Sequence, residues 1–219
     1  MAPLSQARAW PARHHAFLYR QKRNVLTMHS WQALPETALK SVGPISSAFL
    51  ARAVFDFRTA GRCLQQLPYG RNADRADFSL VLIEHRGTCS TKHALLAALA
   101  REQDLPVVLM LGVYAMHERN TPGVGRVLAR YGLSFLPEAH CYVMHQGMRI
   151  DVTRSGAEPT EPISQFLYEE AIAPEQIGDY KVQLHQRFLR EWAATAVAAQ
   201  RSVAELWRIR EECIAALAQ

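Results

Sequence analysis

Arg86-Gly87-Thr88-Cys89-Ser90-Thr91-Lys92-His93-Ala94-Leu95-Leu96-Ala97-Ala98-Leu99 is the stretch on which the fold turns. Thr88 is a good N-cap by residue type, and strong helix formers follow it. Leu95, Leu96 and Leu99 recur at helical spacing, which predicts a helix from Cys89 to Gln103. Gly87 is read as a tight turn into that helix. Cys89 then falls on its first turn, where unpaired N–H groups and the positive end of the helix dipole favour a thiolate. Such a setting lowers a thiol pKa from roughly 8.5 into the range of about 3.5 to 7.5. The same N–H groups suit an oxyanion.

Downstream, Leu105 to Met116 reads as a buried strand, with β-branched residues after Pro106. Residues 117–137 form a long insertion containing Pro122-Gly123-Val124-Gly125, with a short helix expected near Val127–Tyr131. Ala139–Met144 and Met148–Val152 read as two strands joined across Gln146-Gly147. Ser155–Pro162 is a linker by composition. From Val182 to Gln219 the pattern is helical. Trp192, Ala196, Ala199, Val203, Leu206, Cys213 and Leu217 form one apolar stripe, interrupted by Arg210. Such a helix packs on its own domain or pairs with a second copy.

Upstream, Phe78–Glu84 is a short apolar run, a helix end or a strand, broken by Gly87. Leu67-Pro68-Tyr69-Gly70-Arg71-Asn72 reads as a turn-rich loop. A helical stretch is expected from Pro35-Glu36-Thr37 through Ala48–Val54, interrupted at Gly43-Pro44.

Composition narrows the class. The 219 residues are 49% hydrophobic and 21% charged, enough to bury a core. No apolar run reaches the roughly 18 residues of a membrane span. The net charge of +5 comes from the first 27 residues, which hold five basic residues and no acid. The remainder carries 20 basic and 20 acidic residues, so no domain-wide field for nucleic acid is expected. Residues 1–27 are read as a flexible basic tail or an upstream extension before Met28, with a targeting or nucleic-acid-binding arm as the alternative. Cys63, Cys89, Cys141 and Cys213 stand far apart, without a CxxC, which argues against a disulfide framework and for a cytoplasmic setting.

Two further residues join Cys89. A two-residue turn at Gln146-Gly147 sets His145 opposite Met148 and Tyr142 opposite Asp151. His140 and Asp151 then share a sheet face as diagonal neighbours, with Cβ atoms somewhat under roughly 7–8 Å apart. An imidazole there can take the thiol proton, and a carboxylate can fix its tautomer. His85, Cys89 and His93 stand four apart, but Gly87 interrupts the helix and metal would consume the thiol, so no metal and no cofactor are expected.

Gly87-Thr88-Cys89, Ala94–Leu99, His140-Cys141-Tyr142-Val143 and Asp151-Val152-Thr153, in this order, resemble the transglutaminase-like superfamily, relatives of the papain-like cysteine proteases. The likeness covers residues 57–153. It implies an α+β fold in which the nucleophile helix packs on an antiparallel sheet, with N-terminal helices and a long C-terminal helix added. Residues 28–180 would form that domain and 181–219 the helix packed on it. By this resemblance Cys89 is the nucleophile, His140 the base and Asp151 the orienting acid. Papain-like enzymes place a Gln six residues before the Cys, where this chain has Ile83. Asn72 or Tyr69 is therefore expected to join the Cys89 N–H as an oxyanion donor, with Thr88 beside the substrate. The resemblance implies acyl transfer from an amide or related carbonyl of a peptide, protein or small amide, to water or an amine. Arylamine N-acetyltransferases share the triad order, and Arg86-Gly87-Thr88-Cys89 matches their motif in part. The alternative is an inactive scaffold that recruits partners through its tail and C-terminal helix.

Overall fold

The computed structural model describes residues 28–154, 161–194 and 201–218. The expected tail (1–27), most of the 155–162 linker, and Ala196, Ala199 and Gln219 lie outside them. The fold is mixed α+β, built on a five-stranded sheet in the order β1-β4-β3-β2-β5. The strands are β1 (Met28–His29), β2 (Val107–Met116), β3 (Leu136–His145), β4 (Met148–Ile150) and β5 (Tyr168–Ala171). All pairings are antiparallel except that of β1 with β4.

The helices are α1 (Pro44–Leu50), α2 (Phe57–Gln66), α3 (Leu80–Glu84), α4 (Cys89–Glu102), α5 (Gly125–Arg130), α6 (Asp179–Ala193) and α7 (Val203–Ala216). The middle of the molecule is α4. Every residue from Cys89 to Ala100 is buried, because α1, α2, α3, β2, β3 and a short 3-10 turn at Pro174–Ile177 surround it. A helix buried all round has no use for an amphipathic stripe, and its Ala-Leu composition fits that position. Thr88 and Thr91 close its start reciprocally. The Thr88 hydroxyl accepts from the Thr91 N–H at 3.4 Å, and the Thr91 hydroxyl accepts from the Thr88 N–H at 3.0 Å. At the other end the Glu102 carboxylate accepts from Ile45 and Ser46 N–H at 2.9 and 2.7 Å, capping α1.

The sheet register follows from one turn. His145 pairs with Met148, and Gln146 and Gly147 both take positive φ (49° and 77°). That is the two-residue hairpin whose twist suits the flanking strands. The long β2–β3 pair runs from Val107↔His145 to Met116↔Leu136, with α5 in the connection.

Several expectations are corrected. Pro35–Thr37 is not helical; helix begins at Pro44, which occupies the first helical position after Gly43. That helix stops at Leu50, and Ala53 is left-handed (φ 58°), so Val54 lies outside it. The run ending at Glu84 is a helix terminated by left-handed His85 (φ 53°), two residues before Gly87. Gly87 makes no such turn. A Cβ there would lie 2.9 Å from Lys92 Cγ and 3.0 Å from both Thr91 Oγ1 and Val81 Cγ2, so close packing is what requires glycine. The C-terminal stripe divides between two helices. Trp192 belongs to α6, whereas Val203, Leu206 and Cys213 belong to α7, which starts where the Ser202 hydroxyl accepts from the Glu205 N–H. Leu189, Trp192, Leu206, Ile209 and Cys213 share one apolar cluster with α5 and the end of β2.

A buried ion pair ties α7 to the sheet. Glu138 on β3 accepts from Arg210 at 2.6 and 2.9 Å. Burial alone would raise the Glu138 carboxyl, but the charge and hydrogen bonds of Arg210, with the nearby His185 and Lys181, together outweigh it and hold the group at about 2. With its folded value depressed, this group stabilises the fold above its ordinary value of 4.5, and the contribution is lost as pH falls towards 2. Glu138→Ala takes from Arg210 its buried partner and leaves it only Glu211 at the edge, and a loss of up to about 3 kcal/mol is expected in denaturant unfolding at pH 7. The deficit relative to the parent should shrink at pH 3; an equal deficit at both pH values would contradict this account.

Candidate active site

The capped start of α4 presents Cys89, which is buried and lines a cleft. The first turn leaves the Cys89 and Ser90 N–H groups without intrahelical carbonyls. His140 comes from β3. Asp151 comes from the segment directly after β4, where the chain leaves the sheet. His140 Nε2 and Asp151 Oδ2 are 2.7 Å apart, and Asp151 Oδ1 accepts from the Thr153 N–H at 2.8 Å. The turn at Gln146-Gly147 is the one that makes these two residues diagonal neighbours. The other His140 nitrogen is left free of Asp151, and Cys89 lies near enough for the charge on each group to shift the titration of the other.

The wall behind His140 is aromatic. Tyr114 meets the ring edge-on with centroids 5.9 Å apart, and Tyr142 stacks on it at 6.3 Å. Phe166 stacks on Tyr142 at 5.1 Å and lies over Gly112, the strand partner of His140. A Cβ at Gly112 would sit 2.3 Å from the Phe166 ring, so only glycine admits that ring.

The electrostatics favour a charged pair. Burial alone would push the Cys89 thiol up, but the Lys181 ammonium and then the His140 imidazolium outweigh it and bring it down to about 6. Burial would lower His140; the Asp151 carboxylate, then the Cys89 thiolate, outweigh it and raise the ring above its ordinary value. Asp151 is held well below the carboxylate range, because its interactions with His140 exceed the effect of burial. Thiolate, imidazolium and carboxylate therefore support one another. Cys141 alternates to the other side of β3, inside the core, and burial raises its thiol to about 11.

Other expected residues have different positions. Asn72 lines the cleft, but both amide N–H groups are committed, to Glu84 at 3.1 Å and to the Arg86 carbonyl at 3.0 Å. Its oxygen accepts from the Thr91 hydroxyl at 2.8 Å. Asn72 thus anchors the 67–72 loop to the helix start and offers no spare donor. Thr88 lines the cleft while its hydroxyl caps α4. Tyr69 is half-buried on the cleft wall beneath the Arg154 guanidinium, 5.6 Å from its ring. Its hydroxyl has no hydrogen-bond partner among the described residues, so of the two expected donors Tyr69 is the one the geometry leaves free.

Lys92 and Lys181 escaped the sequence reading. His93, one turn below Cys89 and so expected to tune the thiol or cap the pocket, joins the two halves of the site. Its Nδ1 donates to the Cys89 carbonyl at 2.7 Å, and its Nε2 accepts from the Val152 N–H at 2.8 Å. These partners fix a neutral tautomer, and burial lowers the ring to about 4. The approach of its Nε2 to Asp151 at 3.6 Å is accordingly no ion pair. Lys92, fully buried on α4, donates to the Leu67 carbonyl at 2.6 Å and the Thr153 carbonyl at 2.8 Å, which locks both flanking loops. Lys181, on the first turn of α6, reaches Ser90 Oγ at 2.5 Å and Cys89 Sγ at 3.9 Å. Helical pattern gave no sign that these polar residues face inward.

Comparison with known proteins finds no family model, no curated protein and no solved structure that matches the chain. Among the described residues no helix is long and apolar enough to cross a membrane.

The His93 clamp makes a test. His93→Ala leaves the Val152 N–H buried without a partner, at a cost of about 1–3 kcal/mol, and takes from the Cys89 C=O its side-chain donor while the helical N–H of residue 93 remains. Because the folded ring has a depressed pKa, its contribution is complete above its ordinary 6.5 and is lost as pH falls towards 4. Urea unfolding should show the variant weakened at pH 7.5 and closer to the parent at pH 4.5. Parent-like stability at pH 7.5 would remove the clamp.

Proposed function

We propose that the protein is a cysteine-dependent acyl-transfer enzyme with Cys89 as nucleophile, His140 as base and acid, and Asp151 as the group that orients His140. The observation that carries this reading is the 2.7 Å His140–Asp151 contact beside a thiol seated at a helix start. The α+β arrangement, with α4 packed on β2 and β3, suits the transglutaminase-like core that the motifs resemble. All four cysteines are free thiols, as a reducing cytoplasm would keep them.

The chemistry runs as follows. The Cys89 thiolate attacks an amide or related carbonyl, and a C–S bond forms while the carbonyl electron pair moves to oxygen. First-turn N–H groups and the Tyr69 hydroxyl face that oxyanion. Imidazolium His140 protonates the leaving amine as the C–N bond breaks, leaving an acyl-thioester. Neutral His140 then takes a proton from water or from an acceptor amine, which attacks the thioester and frees the thiolate. Asp151 keeps the ring in the productive tautomer throughout. The cleft that Cys89 lines is walled by Tyr69, Arg75 and Trp207 among others, a mixed polar and aromatic lining suited to a peptide, a protein side chain or a small amide.

Intact-mass spectrometry with a panel of amide, ester and thioester donors tests this directly. One adduct class should appear on the parent and vanish in Cys89→Ala, and His140→Ala should slow its formation by about 10²–10⁴. At pH 6 iodoacetamide should modify Cys89 far ahead of Cys63, Cys141 and Cys213. Equal alkylation of the four thiols, with no adduct from any donor, would favour a scaffold over an enzyme.

A further inference from the structure

The sulfur of Cys89 has two sides. His140 approaches from the sheet, and neither His140 nor Asp151 lines the cleft. The cleft is lined instead by Cys89, Ser90, Tyr69 and Lys181. A carbonyl that enters the cleft therefore comes within reach of Lys181 as it approaches Cys89.

Lys181 is an unusual residue for that place. It is 7% exposed, and its ammonium is anchored by Ser90 Oγ at 2.5 Å and lies 3.9 Å from Cys89 Sγ. Among the described residues no carboxylate forms an ion pair with it. Glu138, the acid nearest in kind, is taken up by Arg210. A buried ammonium is costly unless an opposite charge is at hand. Cys89 carries that charge as thiolate, and neutral hydroxyl contact from Ser90 cannot replace it.

We propose that Lys181 is a catalytic residue of the acyl-transfer site: its ammonium neutralises the Cys89 thiolate before attack and receives the carbonyl oxyanion after it. The assignment rests on the acyl-transfer reading above. As the C–S bond forms, the negative charge leaves sulfur and appears on the carbonyl oxygen. Lys181 stays in place and its ammonium keeps its proton. When the oxyanion collapses and the leaving amine departs with the proton from His140, Lys181 faces the neutral acyl-thioester. Deacylation returns the charge to sulfur beside it. Lys181 thus serves both stages of the step.

The groups around the ammonium are Cys89 and Ser90 from α4, Cys141 and Glu138 from β3, His185 on its own helix and Arg210 from α7. Glu138 and Arg210 compensate each other, His185 is neutral at pH 7, and Cys141 stays protonated. Cys89 is the group left to change charge with it near neutrality.

The test uses the full chain. Iodoacetamide alkylation of Cys89 is followed by intact mass from pH 4 to 9, and acetylation by 4-nitrophenyl acetate is followed in parallel. Lys181→Met should move the alkylation midpoint up by about 1–3 units. It should slow acetylation by about 10²–10³. Lys181→Arg should keep the midpoint near the parent's. A folded Lys181→Met with the parent midpoint and parent acetylation overturns the assignment. A parent whose Cys89 reacts no faster than its other thiols overturns the acyl-transfer reading instead. A second measurement needs no variant: in parent chain labelled with 13C at lysine Cε, blocking Cys89 as its methyl disulfide should lower the Lys181 titration midpoint and leave that of Lys40 unchanged. A Lys181 midpoint that ignores the blocking group also overturns the proposal.

Discussion

A helix buried on every side governs this molecule. Because α4 has no polar face, its backbone ends are where it meets solvent and polar chemistry. The C-terminal end is spent on structure, with Glu102 capping α1 and Arg101 pairing with Glu175. The N-terminal end is capped by Thr88 and Thr91, yet its first two N–H groups stay open towards a cleft. Cys89 inherits that position. The elements that wrap α4 then deliver the remaining groups: β3 brings His140, the end of β4 brings Asp151, and α6 brings Lys181.

Charge is the second constraint. The region around Cys89 encloses Lys92, Lys181, Glu138 and Arg210 besides the thiol, the imidazole and Asp151. Buried charges persist only when each has a compensating neighbour or a full set of hydrogen bonds. Glu138 pairs with Arg210, which also holds Glu211, and Lys92 is satisfied by two backbone carbonyls. His185 and His93 escape the problem by staying neutral, each pinned by a backbone partner. What remains is Asp151, His140, Cys89 and Lys181, a chain of alternating sign when the thiol is ionised. The same compensation that keeps the fold stable therefore favours the Cys89 thiolate.

The parts legible in the sequence are those decided locally. Thr88 followed by an Ala-Leu run announces α4 by capping and propensity. Gln146-Gly147 fixes a hairpin register, and from the register alone His140 and Asp151 fall on one face. The parts that were not legible depend on distant partners. Lys181 and Lys92 look like ordinary solvated helix residues until the loops and helices they touch are in place. Tyr168-Glu169-Glu170-Ala171 gives no strand pattern, because its acids are buried in part by Tyr142, Arg149, Tyr168 and Tyr180. Asn72 matched the chemistry of an oxyanion donor, but its amide is consumed in holding the loop. The division between α6 and α7 was hidden because the apolar stripe runs on across it, and the Ser202 cap is a single-residue signal.

The most direct measurement of the central claim is the charge of the His140 ring, read from 15N shifts in histidine-labelled protein as pH is varied. The ion-pair account predicts that both His140 nitrogens carry protons at pH 7.5 and that the ring's titration midpoint drops when Cys89 is replaced by Ala. A neutral His140 at pH 7.5, titrating near the ordinary 6.5 whether or not the sulfur is present, would contradict it.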